Sequence, residues 1–199
     1  SHLPVVYLLN GELQGVYTLR ERIDAYYVEN HTGIDPKTLD LLKVEFSQQI
    51  VVREGSDEDW QDLLAWLRTA DLSDEDQFRR AAAWLDLEDF TDYYLIQIYA
   101  GNWDWPQNNM YMFREQRDDA RWRFILWDLD DAFGFRAPWD HNTLAWALRD
   151  RGRPDLAPPW YDTYGAFSLD ATLIMRKLLA NQEFRWYFGE RLEALLNGV

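Results

Sequence analysis

Two polar blocks, each of which ends an apolar run, constrain this chain more than any other feature. The first covers residues 102–109 (NWDWPQNN) and the second covers residues 127–134 (WDLDDAFG). Both place carboxylate or amide oxygens where the chain is expected to turn. Residues 109–114 and 121–127 are typical of two strands, joined by a polar turn at 116–120. The sequence therefore predicts a β-hairpin that brings the two blocks to the same end of a pair of strands.

The first block predicts a rigid loop that carries chemistry. Asp104 lies just beyond the end of a predicted helix, in a loop interrupted by Pro106, and Asn109 opens the next strand. The returning strand is expected to bring Asp128 back beside Asn109. Mg²⁺ prefers hard oxygen ligands and usually takes one or two carboxylates together with phosphate and water. Asn109, Asp128 and Asp130 would supply that set, and the carboxylate of Asp104 would be free to accept or orient a proton.

The order of these residues is the order found in protein kinases. There an Asp orients the substrate hydroxyl, and an Asn and a second Asp hold Mg²⁺ against the ATP phosphates. The alternative is a purely structural role, because mixtures of Asn, Asp and Pro commonly form turns and an Asp at a strand end is often only a cap. The two blocks in this order, flanked by Trp and Phe, favour the functional interpretation.

Composition excludes several other classes of protein. The 199 residues suffice for one domain, and 47% hydrophobic and 16% aromatic content exclude disorder. A net charge of −15 argues against binding a nucleic-acid backbone, which requires a basic face. No apolar run is long enough to span a bilayer. Because cysteine is absent, disulfides and thiolate metal sites are excluded.

The remaining pattern predicts an α+β fold. Residues 5–9 and 16–19 flank Asn10-Gly11 and predict a β-hairpin, and residues 39–46 and 50–53 predict a second, weaker strand pair. Helical spacing follows from residue 57, at 73–85, at 87–100 and at 170–196, with a short helix near 143–149 inside an irregular stretch at 135–165. We expect one domain, 1–199, with a strand-rich portion (1–55) packed on a mainly helical lobe (56–199) that carries the hairpin at 101–134.

Several blocks resemble those of the spore coat protein H (CotH) kinase family. They are residues 7–17 (YLLNGELQGVY), 20–24 (RERID), 85–90 (LDLEDF), 102–104 (NWD), 108–109 (NN), 127–134 (WDLDDAFG) and 178–185 (LLANQEFR). The resemblance implies an atypical protein-kinase-like fold: most of the helical large lobe with an embedded β-hairpin, plus the last strands of the small lobe. It further implies ATP and Mg²⁺ or Mn²⁺ as cofactors, protein Ser/Thr hydroxyls as acceptors, and a location outside the cytoplasm, secreted or on a cell or spore surface.

The resemblance also implies roles for individual residues. Asp104 matches the catalytic-loop Asp, Asn109 and Asp128 match the metal ligands, and Asp130 matches less closely as an additional ligand. In this correspondence residues 19–22 lie near the adenine hinge, so that Glu21 and Arg22 are expected to bind the nucleotide.

The same correspondence predicts that the chain begins late in the kinase fold. Its first hairpin would match the final small-lobe strands, so the glycine-rich loop, the phosphate-binding Lys and its Glu partner would lie before residue 1. We therefore expect weak metal binding and little or no kinase activity from these 199 residues. Lys37 and Lys43 are the only lysines outside the C-terminal third. Lys43 is interpreted as a surface or strand-end residue rather than a residue of the cleft.

Two alternative functions fit the same residues. One is a non-catalytic surface or adhesion module that keeps the fold for binding. The other is a glycan-binding or glycan-hydrolysing site, in which tryptophans near the acidic blocks (Trp103, Trp105, Trp127 and Trp139) stack on sugars and paired carboxylates act as acid and base. For most of the eleven tryptophans we favour a core role, with Trp103 or Trp105 lining a cleft.

Overall fold

The computed structural model of the chain describes residues 2–45, 49–135, 140, 142–148 and 170–198. In these ranges it contains seven α-helices and two antiparallel sheets, which confirms the predicted α+β class. The strands are β1 (His2–Leu9), β2 (Glu12–Arg20), β3 (Leu39–Val44), β4 (Ile50–Glu54), β5 (Met110–Glu115) and β6 (Arg123–Ile125). The helices are α1 (Ala25–Thr32), α2 (Glu58–Thr69), α3 (Glu75–Trp84), α4 (Leu87–Ala100), α5 (Thr143–Ala147), α6 (Asp170–Leu178) and α7 (Gln182–Asn197).

The first sheet is the predicted hairpin of β1 and β2. Asn10 and Gly11 form its two-residue turn with φ angles of 51° and 86°, as a turn of the mirror-image type requires. The register shifts between Tyr7 and Leu8, which marks a β-bulge. Apolar side chains of this hairpin are exposed to solvent: Val6 and Val16, which pair across the two strands, are 65% and 73% exposed. This ribbon therefore contributes little to the hydrophobic core.

The second sheet joins the predicted strand pair to the predicted hairpin of the polar blocks. Its strand order is β4-β3-β5-β6, antiparallel throughout. Lys43 pairs with Tyr111, and Tyr111 pairs with Ile125. Strands β3 and β5 are central and nearly fully buried. The first polar block leads into β5, and the second follows β6 at the edge of the same sheet.

The two faces of this sheet contribute to two different clusters of apolar side chains. Leu42 and Met112 point into the larger cluster, which also contains residues of α2, α3, α4, α6 and α7. Leu41 and Phe113 point into the smaller cluster, which contains Val28 of α1. This alternation is the period of two expected when both faces of a strand are buried. The sheet is thus held between the main helical layer and α1.

The predicted helices are present, but the segment predicted at 170–196 forms two helices, α6 and α7, and α1 was not predicted. Asp74 caps α3, because its side chain accepts a hydrogen bond from the backbone N–H of Gln77. Asp57 occupies the cap position of α2, but its side chain makes no capping hydrogen bond. Gly101 ends α4 in the left-handed conformation with a φ of 66°, as is common for a glycine at a helix C-terminus. It fixes the point at which the first polar block begins.

Most of the described tryptophans are core residues, as we expected. Trp60, Trp105, Trp122 and Trp146 are at most 3% exposed. Trp105 packs edge-to-face against Tyr93 and Tyr94, with ring centroids 6.0 Å and 4.6 Å apart. Trp139 and most of the predicted irregular stretch lie outside the described residues. Across the described ranges, none of the helices has both the length and the apolar character needed to cross a membrane.

Candidate active site

The first polar block forms a loop that holds the carboxylate of Asp104 between two amides. Oδ2 of Asp104 accepts hydrogen bonds from Nδ2 of Asn109 at 2.9 Å and from Nδ2 of Asn108 at 3.0 Å. Asp104 itself is half-buried and Asn109 is buried. Asp104 and Asn109, which the sequence places in the same polar block, are therefore in direct contact. Asn108 was not predicted as a contributor, although its place beside Asn109 was the available signal.

Asn102 ties the first polar block to the second. It is fully buried, and its Oδ1 accepts a hydrogen bond from the backbone N–H of Asp104 at 3.2 Å. Its Nδ2 donates to Oε1 of Gln97 at 2.8 Å and to the backbone carbonyl of Asp128 at 3.3 Å. One buried amide therefore sets the positions of both Asp104 and Asp128 relative to α4. The sequence placed Asn102 in the block but gave no reason to assign it this role.

The second polar block carries two carboxylates that lie close together. Asp128 follows β6 and has a left-handed backbone with a φ of 57°, and Asn109, the residue before β5, has a φ of 56°. Asn and Asp tolerate this conformation better than most residues. Burial raises the pKa of Asp128, and so do the charge of Asp130 and a hydrogen bond between the two carboxyl groups. The charges of Arg20 and Lys43 oppose this increase.

The carboxyl group of Asp104 also resists ionisation. Burial raises its pKa to about 6, against an ordinary value of 3.8, and the charges of Asp131, Asp128 and Asp130 add to the increase. The hydrogen bond from Asn108 acts in the opposite direction. The electrostatic influence of the second block on Asp104 is consistent with the two blocks lying near each other. A carboxyl group with a pKa near neutrality is suited to accept a proton.

A cleft of about 400 Å³ opens beside the second block. Its walls include Glu21, Asp128 and Asp130, so three of the predicted ligand-binding residues share one cavity. Arg22, the other residue assigned to the nucleotide, is exposed and is not among the lining residues. Asp104 and Asn109 also lie outside the cavity wall. The predicted site therefore consists of a cleft and an adjoining loop, linked through Asn102.

Two further residues of the cleft received no role in the kinase assignment, although Arg20 lies in the segment placed near the adenine hinge and Trp127 was considered for glycan binding. Arg20, the last residue of β2, lines the cavity together with Thr18. Trp127 also lines it, whereas Trp103 and Trp105, the tryptophans expected there, are buried at 7% and 0% exposure and do not. Trp127 stacks edge-to-face on Tyr111 with ring centroids 6.1 Å apart. Strand alternation alone does not reveal which of these residues faces a cavity.

Lys43 remains close to its predicted position at a strand end. Its Nζ lies 3.4 Å from Oε1 of Glu45 and 5.7 Å from the centre of the Tyr111 ring. It does not line the cleft. Its positive charge nevertheless lowers the pKa of Asp128, so Lys43 contributes to the electrostatics of the second block.

The donor set fits a divalent cation. Asp128 and Asp130 supply two carboxylates close enough to share a hydrogen bond, and a cation between them would remove their mutual repulsion. Nδ2 of Asn109 is engaged by Asp104, which leaves Oδ1 of Asn109 available as a neutral ligand. The described residues contain no group of three or more His, Cys, Asp or Glu side chains able to hold a metal. Two carboxylates match the ligand number of Mg²⁺, which completes its shell with phosphate and water.

A family model described as CotH kinase protein matches residues 1–199, the whole length of the chain. A comparison with curated proteins found no match.

Proposed function

This chain belongs to the CotH kinase family, and from that premise we propose that it is a kinase-like domain that transfers the γ-phosphoryl group of ATP to Ser or Thr hydroxyls of a protein. In this proposal the helical layer and the sheet β4-β3-β5-β6 correspond to the large lobe of a kinase, and the hairpin β1-β2 corresponds to the last small-lobe strands. A secreted or surface location, outside the cytoplasm, belongs to the same proposal.

The single observation that supports the proposal best is the environment of Asp104. Its half-buried carboxylate is fixed by the amides of Asn108 and Asn109, and its pKa is raised to about 6. A group of this kind is mostly ionised at neutral pH yet still basic enough to accept a proton. We assign it the role of orienting the acceptor hydroxyl and accepting its proton.

Asn109, Asp128 and Asp130 are the residues that would hold Mg²⁺ or Mn²⁺. When bound, ATP would supply the phosphoryl group that is transferred, and the metal would neutralise the negative charge that develops on its phosphate oxygens. The protein's part is positional: Asn102 fixes the backbone of Asp104 and of Asp128, and Asn109 connects the metal ligands to the proton acceptor. Glu21, which lines the same cleft, is the candidate contact for the nucleoside, with Arg22 beside it in the chain.

We also propose that turnover by this chain is slow. None of the described residues that line the cleft is a lysine, and Lys43 lies outside the wall, paired with Glu45. Kinases use a lysine to hold the phosphates during transfer. Weak phosphate retention would lower the rate while leaving metal-dependent nucleotide binding measurable.

Thermal melting with and without Mn²⁺ and ATP tests the binding part of the proposal. A ligand at a hundred times its dissociation constant stabilises the fold by about 2.7 kcal/mol, a shift of about 5–10 °C in a domain of this size. We expect the shift to require both metal and ATP and to disappear in Asp128→Ala. A shift with oligosaccharide instead of nucleotide would favour the glycan hypothesis.

Transfer itself is tested with γ-labelled ATP and a generic protein acceptor, comparing the natural chain with Asp104→Asn. The variant keeps the shape of the side chain and its acceptor oxygen but cannot accept the proton. We expect labelling to fall by at least about a hundredfold, the lower range for loss of general base catalysis. Labelling that is equal in both proteins would contradict the assigned role of Asp104.

A further inference from the structure

Arg20 is a charged residue of the cleft to which the proposed function assigns no role. It ends β2, and it lines the cavity with Thr18 two positions earlier, so both face the same side of the ribbon. Arg20 is exposed, and it forms no ion pair or hydrogen bond with any residue in the described ranges. Its donors are therefore not engaged by a neighbouring carboxylate.

The charges on the cleft wall indicate what this guanidinium can bind. Among the described residues that line the cavity, Arg20 carries the one positive charge, and Glu21, Asp128 and Asp130 carry negative charges. The wall alone would repel an anion, but a divalent cation bound by Asp128 and Asp130 would bring the sum of these charges to zero. An anion is then expected to bind only together with the metal. Among the described lining residues, Arg20 is the positively charged side chain that can contact this anion directly.

The geometry of the cleft distinguishes Arg20 from Lys43. Lys43 is the other cation near Asp128, but its Nζ faces Glu45 at 3.4 Å and it does not line the cavity. A guanidinium carries five donors in a planar fork that matches two oxygens of a phosphate at once, which an ammonium group does not. Arg20 therefore has both the position and the chemistry for phosphate.

We propose that Arg20 is a phosphate-binding residue of this cleft and that it holds the polyphosphate of the nucleotide beside the metal bound by Asp128 and Asp130. The proposal rests on the proposed function for the identity of the nucleotide, but binding of the polyphosphate by Arg20 does not depend on transfer. The ligand class is a metal complex of a linear polyphosphate, of which MgATP or MnATP is one member.

Calorimetric titration of the 199-residue chain with Mn²⁺ present tests this assignment, using ATP, tripolyphosphate and adenosine as ligands. The variants are Arg20→Gln, Arg20→Lys and, as a matched control, Arg53→Gln, which removes an exposed arginine from β4 outside the cleft. We expect Arg20→Gln to weaken ATP and tripolyphosphate binding about tenfold or more, the loss of one or two charge-assisted hydrogen bonds. Arg20→Lys should lie in between, and adenosine binding and Arg53→Gln should change less than about twofold.

The outcomes separate this proposal from the proposed function. Mn²⁺-dependent ATP binding that is equal in Arg20→Gln and the natural chain would overturn the role of Arg20 and leave the kinase proposal standing. Arg20-dependent binding of tripolyphosphate without any phosphoryl transfer would support the role of Arg20 while the kinase proposal fails. Absence of binding of both phosphate ligands to the natural chain would overturn the assignment. Because Arg20 is exposed, equal melting temperatures of the metal-free variants are expected and exclude misfolding as a cause.

Discussion

Replacing Asp104 by Asn is expected to stabilise the metal-free protein while it removes the proton acceptor. The carboxyl of Asp104 is half-buried and lies within the electrostatic influence of Asp128, Asp130 and Asp131, which together with burial raises its pKa from 3.8 to about 6. An Asn at this position keeps an oxygen that can accept the hydrogen bonds from Asn108 and Asn109. The substitution therefore removes an unfavourable charge and leaves the loop geometry in place.

The magnitude follows from the two pKa values. A native pKa of about 6 against an unfolded value of 3.8 corresponds to about 3 kcal/mol of destabilisation once both states are ionised. Because Asp104 is only half-buried, solvent screening reduces this figure, and we expect a gain of about 1–2 kcal/mol in the free energy of unfolding. For a domain of this size the melting temperature should rise by about 2–8 °C.

The gain has a defined pH dependence. Between pH 3.8 and about 6 the native state keeps a proton on Asp104 that the unfolded state has released, so the stability of the natural protein falls as the pH rises through this window. Well above pH 6 Asp104 is ionised in both states, so the destabilisation of the natural protein reaches its full value and no longer changes with pH. The advantage of Asp104→Asn should therefore be largest at pH 7–8 and disappear as the pH falls towards 4.

The assay is chemical denaturation followed by tryptophan fluorescence, at pH 8 and near pH 4.5, in the presence of a chelator. Asp118→Asn is the matched control, because it removes one charge from the same net charge of −15 at an exposed position in the turn between β5 and β6. We expect the control to change the free energy of unfolding by less than about 0.5 kcal/mol. A gain in Asp104→Asn that is absent at pH 8, or equal at both pH values, would refute the reasoning.

Three further predictions concern the scaffold of the site. Gly55→Ala should destabilise the fold by about 3–5 kcal/mol in denaturant, because the added Cβ would overlap Oδ1 of Asp40 and the Leu39 carbonyl at a φ of 68°. Gly33→Ala, at a φ of 78° with open space around the added Cβ, should cost only about 1–2 kcal/mol. Equal losses of stability in the two variants would contradict the steric account. Asn102→Ala should destabilise the fold by about 2–4 kcal/mol, because it leaves Oε1 of Gln97 without its donor and removes the hydrogen bonds that connect the two polar blocks. A loss below about 1 kcal/mol would argue against this role of Asn102. Amide protons of β1 and β2 should exchange faster with solvent than those of β3 and β5, because an isolated two-stranded ribbon is marginally stable, and equal protection in mass spectrometry would contradict this.

The sequence by itself determined the elements and their order. Asn10-Gly11 between two β-branched runs specified the first hairpin, because few residues other than Asn and Gly accept positive φ at both turn positions. Helical spacing and Gly101 fixed α4 and its end, and therefore the start of the loop that holds Asp104. These features depend on local backbone chemistry, so local sequence was sufficient to predict them.

Only the tertiary structure decided which side chains share a surface. The hairpin of β5 and β6 was predicted, but the pairing of β5 with β3 could not be inferred from either strand alone, yet it sets the base of the site. Likewise, Arg20 and Trp127 line the cleft while Trp105 is enclosed by Tyr93 and Tyr94, although Trp105 is closer in sequence to Asp104. Burial is a property of how elements pack over long sequence separations, and residue type alone does not encode it. The buried amide of Asn102 connects Asp104 to Asp128 for the same reason: its three partners converge only once the chain has folded.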